Sequence, residues 1–180
     1  IMYFIIENQY NKKEVLEFNK GIRLNYVDKK EGPDLPAKNA TKTSTVRTVR
    51  YKDVAYYLGN LLEKCKITNI DHGGYSLFEP TDFNLLNYNI YEKGQEYGWH
   101  ADVRTTECFD MKWTLLINLS DEEYEGGDLE IFEGGIQTVK EFRKPGNAVM
   151  FKSHMQHRVT PVTSGVRKTL TYWFVGPRFI

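Results

Sequence analysis

The sequence predicts a mainly β chain, an antiparallel sandwich or barrel with two helices covering one sheet from outside. From Phe83 onward, short apolar or alternating runs recur at roughly 8–12-residue spacing, the pattern of a many-stranded antiparallel fold. Turn residues stand between the runs: Gly94, Gly126-Gly127, Gly134-Gly135, Pro145-Gly146 and Ser164-Gly165. Helical spacing is confined to the first third of the chain.

Taken in order, Met2 to Ile6 is a short apolar strand. Asn11 then precedes a run with Val15, Leu16 and Phe18 at helical spacing and can serve as its N-cap. From Asp28 to Thr48 the chain is polar, with Gly32, Pro33, Pro36 and a Thr/Ser/Lys cluster. That stretch reads as a long surface loop, a candidate lid over a binding site. A second amphipathic helix is expected from about Lys52 to Lys64, with Val54, Tyr57, Leu58, Leu61 and Leu62 on one face. The strand signals that follow are NLLNYNIYEK, WTLLINLS, DLEIFE, IQTVKEF, NAVMFKS, HRVTPV and TLTYWFV. No internal repeat or low-complexity segment interrupts them.

At 180 residues the chain has the size of one domain, expected over 1–180, with helical support and lid at about 1–82 and a strand core at about 83–176. Hydrophobic residues at 41% and aromatics at 14% are those of a globular chain. Basic and acidic residues balance at 24 each, so the total charge steers the protein toward neither nucleic acid nor an anionic membrane. No apolar run is long enough to span a bilayer, and IMYFIIENQYNKKEV lacks the basic start and long apolar core of a signal peptide; neither leader nor anchor is expected. Cys65 and Cys108 lie far apart without C-x-x-C spacing, which fits a reducing compartment and a cytoplasmic location. Oligomeric state is not legible.

The chemistry concentrates in the second half. His100 and Asp102 are two residues apart, so in a strand they share a face while Ala101 points away. Folding must bring a second imidazole, His157, from another strand. Two imidazoles and one carboxylate suit ferrous iron held on one side of its coordination sphere, with positions left open for substrate and oxygen. Arg167, ten residues after His157, is the candidate counter-ion for an acidic co-substrate, because guanidinium meets carboxylate through two parallel hydrogen bonds. Iron with a dicarboxylate points to 2-oxoglutarate. Arg167, Thr169, Thr171 and Trp173 share one parity, so an inward-facing Arg167 brings a hydroxyl and an aromatic wall with it.

Other residues have plainer explanations. His154, three residues before His157, could substitute as a ligand but is read as a surface or supporting histidine. His72, in Asp71-His-Gly-Gly, is read as solvated. Tyr97 and Trp99 serve packing or a substrate wall. Gly126-Gly127 makes a tight turn, not a phosphate cradle, since no helix start follows. Arg47, Arg50 and Lys52 form a solvated face rather than a nucleic-acid patch.

Tyr91-Glu-Lys-Gly-Gln-Glu-Tyr-Gly-Trp-His-Ala-Asp102 resembles the Y-E-x-G-x-x-Y-x-x-H-x-D signature of prolyl 4-hydroxylases. Together with Glu125-Gly-Gly-Asp-Leu, Lys144-Pro-Gly-Asn-Ala-Val-Met-Phe and His157-Arg-Val-Thr-Pro-Val-Thr-Ser-Gly-Val-Arg167, it resembles the iron(II)- and 2-oxoglutarate-dependent dioxygenases, nearest the bacterial and phage prolyl-hydroxylase-like branch. The match runs from about Phe83 to Trp173. It implies a double-stranded β-helix, a jelly roll with flanking N-terminal helices. It also implies His100, Asp102 and His157 as iron ligands, Arg167 as the partner of the distal carboxylate of 2-oxoglutarate, Tyr91 as a hydroxyl reaching that co-substrate, and Trp173 as an aromatic wall. Prolyl 4-hydroxylases of animals and plants commonly carry Lys where Arg167 stands; arginine makes the same pairing bidentately. Iron(II), 2-oxoglutarate and oxygen are the implied cofactors, with ascorbate as an optional reductant, and succinate and carbon dioxide the co-products. The implied substrate is a prolyl residue in a peptide or protein, held extended beneath the 28–48 loop. Hydroxylation of a free amino acid or other small molecule, and a jelly-roll binding module without chemistry, are the alternatives. Nucleic-acid demethylases carry a second arginine six residues after the first, where this chain has Trp173.

Overall fold

Hydrophobic alternation along the central strands decides the architecture. In the computed structural model, which describes residues 3–27, 42–103 and 109–179, six strands form an antiparallel major sheet. Its order is β1 (Tyr3–Ile6), β9 (Ala148–Lys152), β5 (Asp110–Asn118), β12 (Arg167–Gly176), β3 (Leu85–Tyr91) and β2 (Thr45–Arg50). A four-stranded minor sheet runs β4 (Tyr97–His100), β10 (His157–Val159), β7 (Leu129–Phe132), β8 (Ile136–Thr138). A two-stranded ribbon joins β11 (Val162–Ser164) to β6 (Glu125–Gly126). The packed sheets make a jelly roll, as expected.

Period two sorts each strand of the major sheet between two environments. Leu86 and Tyr88 of β3, Trp113, Leu115 and Ile117 of β5, Ala148 and Met150 of β9, and Leu170, Tyr172 and Phe174 of β12 share one core with the helices. Those helices are α1 (Lys12–Leu24), α2 (Tyr51–Leu58) and α3 (Leu61–His72). Leu116, Val149 and Phe151, at the opposite parity, pack instead with Leu129 and Ile131 of the minor sheet. The remaining inward positions are polar and carry the site.

The N-cap of α1 forms as read: the Asn11 side chain accepts from the Glu14 N–H at 2.9 Å, and Glu14 returns the bond to the Asn11 N–H at 2.7 Å. Val15, Phe18 and Ile22 make its buried stripe, whereas Leu16 is 45% exposed. The structure departs from the sequence reading at four places. The helix expected over 52–64 is two, because Gly59 at φ 51° breaks the first, and α3 then continues past Lys64 to His72. The loop expected over 28–48 already pairs as β2 from Thr45, zipped against β3 from Thr45↔Ile90 to Arg50↔Leu85; 28–41 of that loop lie outside the described residues, as does Cys108. HRVTPV splits into β10 and β11 at Pro161, which has no N–H to donate. In IQTVKEF only Ile136–Thr138 is strand, followed by a 3-10 turn over Lys140–Arg143.

Buried amides pin helices to sheet. Asn19 donates to the Leu119 carbonyl at 2.8 Å and accepts from the Tyr88 hydroxyl at 2.8 Å. On α3, Asn69 accepts from the Trp113 indole N–H at 2.8 Å. Cys65 lies in the same core, and burial pushes its thiol up to about 12, so it is an inert packing group. Among the described residues no helix is long and apolar enough to cross a membrane.

Asn19→Leu keeps side-chain bulk but strands the Tyr88 hydroxyl in the core. It is expected to lower unfolding free energy by about 1–3 kcal/mol. Urea denaturation checks this, with a lower midpoint at unchanged m.

Candidate metal centre and co-substrate pocket

Strand register assembles the ligand set. His100 ends β4 and His157 begins β10, and the antiparallel pairing sets the two directly opposite each other. Asp102 follows β4 by two residues, its backbone N–H bonded to the Ser153 carbonyl at 2.9 Å just beyond β9. His100 Nε2 stands 3.4 Å from Asp102 Oδ1, and His157 Nε2 stands 3.6 Å from Oδ2. One potential ligand atom from each residue lies within 4.8 Å of the others.

Each imidazole is oriented by its other nitrogen. His100 Nδ1 lies 2.7 Å from the Gly98 carbonyl and His157 Nδ1 lies 2.9 Å from the Met155 carbonyl. Carbonyls only accept, so both Nδ1 atoms donate to them and both Nε2 atoms are turned toward the cluster, the orientation that binds metal. The Tyr97 ring stacks on His100 at 3.6 Å and Phe151 meets His157 edge-on at 4.7 Å, which fixes both ring planes. Burial pushes the pKa of His157 down, against the opposing charge of Asp102. Burial would raise the Asp102 carboxyl, but the His100 and His157 imidazoles and the Thr114 hydroxyl outweigh it and hold the group well below the usual carboxylate range. Two Nε2 atoms converging on a carboxylate held in its ionised form fit a divalent, oxygen-reactive metal such as iron(II).

The cluster opens into a cavity of about 160 Å³ bounded by Tyr91, Arg167, Thr169, Thr171 and Trp173 among others. Arg167 is 1% exposed, and its Nε and Nη2 have no hydrogen-bond partner among the described residues. Its guanidinium lies 5.1 Å from the Tyr91 ring and 5.7 Å from that of Phe142. A buried cation with unused donors calls for an anion, and planar N–H pairs match a carboxylate. Gly127 makes room for it: a Cβ there would lie 2.9 Å from Arg167 Cδ, and its φ of 59° disfavours any side chain.

All seven residues singled out from the sequence (Tyr91, His100, Asp102, His157, Arg167, Thr169 and Trp173) line this one cavity. His154 is exposed and outside the cluster; His72 is exposed at the end of α3, stacked on Phe4 at 4.6 Å. Trp99 faces away from the cavity, with the Arg158 guanidinium over its ring at 4.9 Å. The basic cluster is not one solvated face: Lys52 is exposed, but Arg47 is half-buried with its guanidinium 5.8 Å from the Tyr26 ring. Asn87, Asn89 and Thr114 escaped the sequence reading. The first two line the cavity, and Thr114 bonds Asp102. Their signal was present, since Asn87 and Asn89 share the parity of Tyr91, and Thr114 is a lone hydroxyl in an apolar run.

A family model described as the 2OG-Fe(II) oxygenase superfamily matches residues 86–175, half of the chain. A PKHD-type hydroxylase of Synechococcus sp. (strain CC9605) is 44% identical over 82 residues, which is 44% of this chain but 36% of that protein. A PKHD-type hydroxylase of Pseudoalteromonas atlantica is 26% identical over 184 residues, covering 96% of this chain and 77% of the relative. Several other such relatives are matched over less than half their length. Among solved structures, a Pseudomonas putida prolyl-4-hydroxylase superposes with a TM-score of 0.70 at 18% identity, over 96% of this chain and 91% of that one. A viral collagen prolyl hydroxylase of Paramecium Bursaria Chlorella virus-1 does so with a TM-score of 0.65 at 16% identity, over 98% and 97% of the two chains. With its jelly roll, its His-Asp-His cluster and this match across the strands that carry them, the chain belongs to the 2OG-Fe(II) oxygenase superfamily.

Proposed function

We propose that the protein is an iron(II)- and 2-oxoglutarate-dependent dioxygenase that hydroxylates proline in a peptide or protein. The observation that carries it is the union, in one cavity, of the His100, Asp102 and His157 donors with the unpaired guanidinium of Arg167. His100 Nε2, Asp102 and His157 Nε2 would hold the metal. Bound there, iron(II) supplies the redox chemistry that couples decarboxylation of 2-oxoglutarate by oxygen, giving succinate and carbon dioxide, to hydroxylation of a C–H bond. The chain's own part is positioning and exclusion of water.

Arg167 binds the distal carboxylate of 2-oxoglutarate, with Thr169 and Tyr91 beside it on paired strands; Arg167↔Tyr91 is a register pair. The face Asn87, Asn89 and Thr171, in which Asn89 donates to the Thr171 hydroxyl at 3.1 Å, leaves amide and hydroxyl groups along the same wall. A cavity of this size accommodates a small dicarboxylate, so the substrate enters from its mouth with a side chain directed inward. Support for proline comes from the structural neighbours, several of which are prolyl hydroxylases. One of these is a Trichoplax adhaerens prolyl hydroxylase in complex with a peptide fragment, superposing with a TM-score of 0.62.

Succinate release from iron-loaded protein given 2-oxoglutarate and oxygen is expected to rise with proline-rich peptides, and mass spectrometry should find one added oxygen atom on proline. Succinate without peptide oxidation would redirect the substrate to another class. His157→Ala removes one of three donors and should abolish both turnover and iron retention, read by metal analysis after desalting. Arg167→Ala should leave iron binding intact while raising the KM for 2-oxoglutarate roughly 10- to 100-fold, the loss of about 1.5–3 kcal/mol of charged hydrogen bonding.

A further inference from the structure

The two oxygens of Asp102 are treated differently by the protein. Oδ2 accepts from the Thr114 hydroxyl at 2.8 Å and from the Trp173 indole N–H at 3.2 Å. Each oxygen also faces one imidazole, Oδ1 that of His100 at 3.4 Å and Oδ2 that of His157 at 3.6 Å, but among the described residues only Oδ2 takes hydroxyl and indole hydrogen bonds. Thr114 and Trp173 are register partners across β5 and β12, so one pair of adjacent strands aims both donors at the same atom. The direction of the chain is determined. An ionised carboxylate only accepts and an indole N–H only donates; Thr114 has one proton, which goes to Asp102, so Ser153 Oγ, 3.1 Å away, must donate to Thr114. Thr114 and Ser153 are fully buried, which leaves that relay no competing water.

We propose that Thr114 and Trp173 are positioning residues that engage the lone pairs of Asp102 Oδ2 and so reserve Oδ1 as the single carboxylate donor. A carboxylate oxygen has two lone pairs in its plane, and both on Oδ2 are occupied. Were both oxygens to bind, the carboxylate would take a further coordination position, one that a three-donor site keeps open for co-substrate and oxygen. Trp173 therefore does more than wall the cavity: its N–H, not its ring alone, belongs to the machinery. The proposal rests on the reading of His100, Asp102 and His157 as metal ligands.

The test uses cobalt(II) added anaerobically to the metal-free full chain, followed by calorimetry and by the visible d–d spectrum, with no turnover required. Trp173→Phe keeps the ring and deletes the N–H; Thr114→Val keeps the shape and deletes the hydroxyl. Each is expected to weaken cobalt binding roughly 10- to 100-fold, as loss of a partner to a ligand does, and to alter the spectrum as Oδ2 turns toward the ion. Thr114→Ser, which restores the hydroxyl, should return both readings to wild type. A purely packing role would shift the melting temperature and leave the spectrum alone. If Thr114→Val does not fold, Trp173→Phe decides, since Trp173 is only half-buried. Folded Trp173→Phe with wild-type affinity and spectrum overturns the proposal. Wild-type protein that binds no cobalt, or binds it equally after His157→Ala, overturns the metal reading itself.

Discussion

The register between β10 and β4 is the constraint on which the site depends. Side chains in a strand alternate faces, so a slip of one residue would turn His157 away from His100 and present Arg158 in its place. The strand is clamped from both sides: His157 pairs with His100 on β4 and with Ile131 on β7. Outside the cavity, Arg158 and Glu130, also a register pair, form an ion pair at 2.5 Å that fits only the same alignment. Surface pairs contribute little energy, but a mismatched one opposes slippage.

An inward face this polar has a cost that the opposite face offsets. Asn89, Thr114, Asn118, Ser153, Arg167, Thr169 and Thr171 are all buried, in a layer where a minimal sandwich would place valine and leucine. Most are satisfied within the protein; Asn118, for example, donates to the carbonyls of Phe142 at 2.8 Å and Arg143 at 3.1 Å. Arg167 departs from this, with two guanidinium nitrogens unmet. Stability comes from the helix-covered side, where aromatic and aliphatic residues of five major-sheet strands and three helices close one continuous core. The same strands thus serve folding with even-numbered residues of β12 and β3 and chemistry with odd-numbered ones.

This division explains what could be read in the sequence. On the long strands β5 and β12, period two and glycine punctuation stated both the strands and the shared parity of Arg167, Thr169, Thr171 and Trp173. The ligand spacing His100-x-Asp102 was legible for the same reason, although Asp102 stands beyond the strand end and owes its place to the Ser153 carbonyl. Boundaries set by tertiary pairing were not legible. β2 is a polar run, TVRTVR, that becomes strand only because β3 offers it an edge. The helix break at Gly59 was hidden because apolar spacing continues from Leu58 to Leu61 and Leu62, and spacing does not register a backbone turn. Thr114 stood out locally as a lone hydroxyl in an apolar run, but what it bonds was not legible, because that exists only where β12 and the Asp102 segment meet.

Glycine completes the logic at the other end of the cavity. Gly126 and Gly127 have positive φ of 68° and 59°; Gly126 ends β6, paired with Val162, and Gly127 leads on toward β7, so the tight-turn reading fits Gly127 but not Gly126. Position 127 does more than turn the chain, because the Arg167 stem lies across it at a distance that admits no methyl group. A guanidinium carried on a strand can be buried flat only if the facing backbone is bare, and bare backbone at positive φ is what glycine provides. The Glu125-Gly-Gly-Asp stretch carries no reacting group, yet it decides where the buried Arg167 guanidinium can point. The bare backbone at Gly127 and the Thr114 and Trp173 donors at Asp102 therefore fix where Arg167 and Asp102 can point, on strands whose other faces are locked into the core.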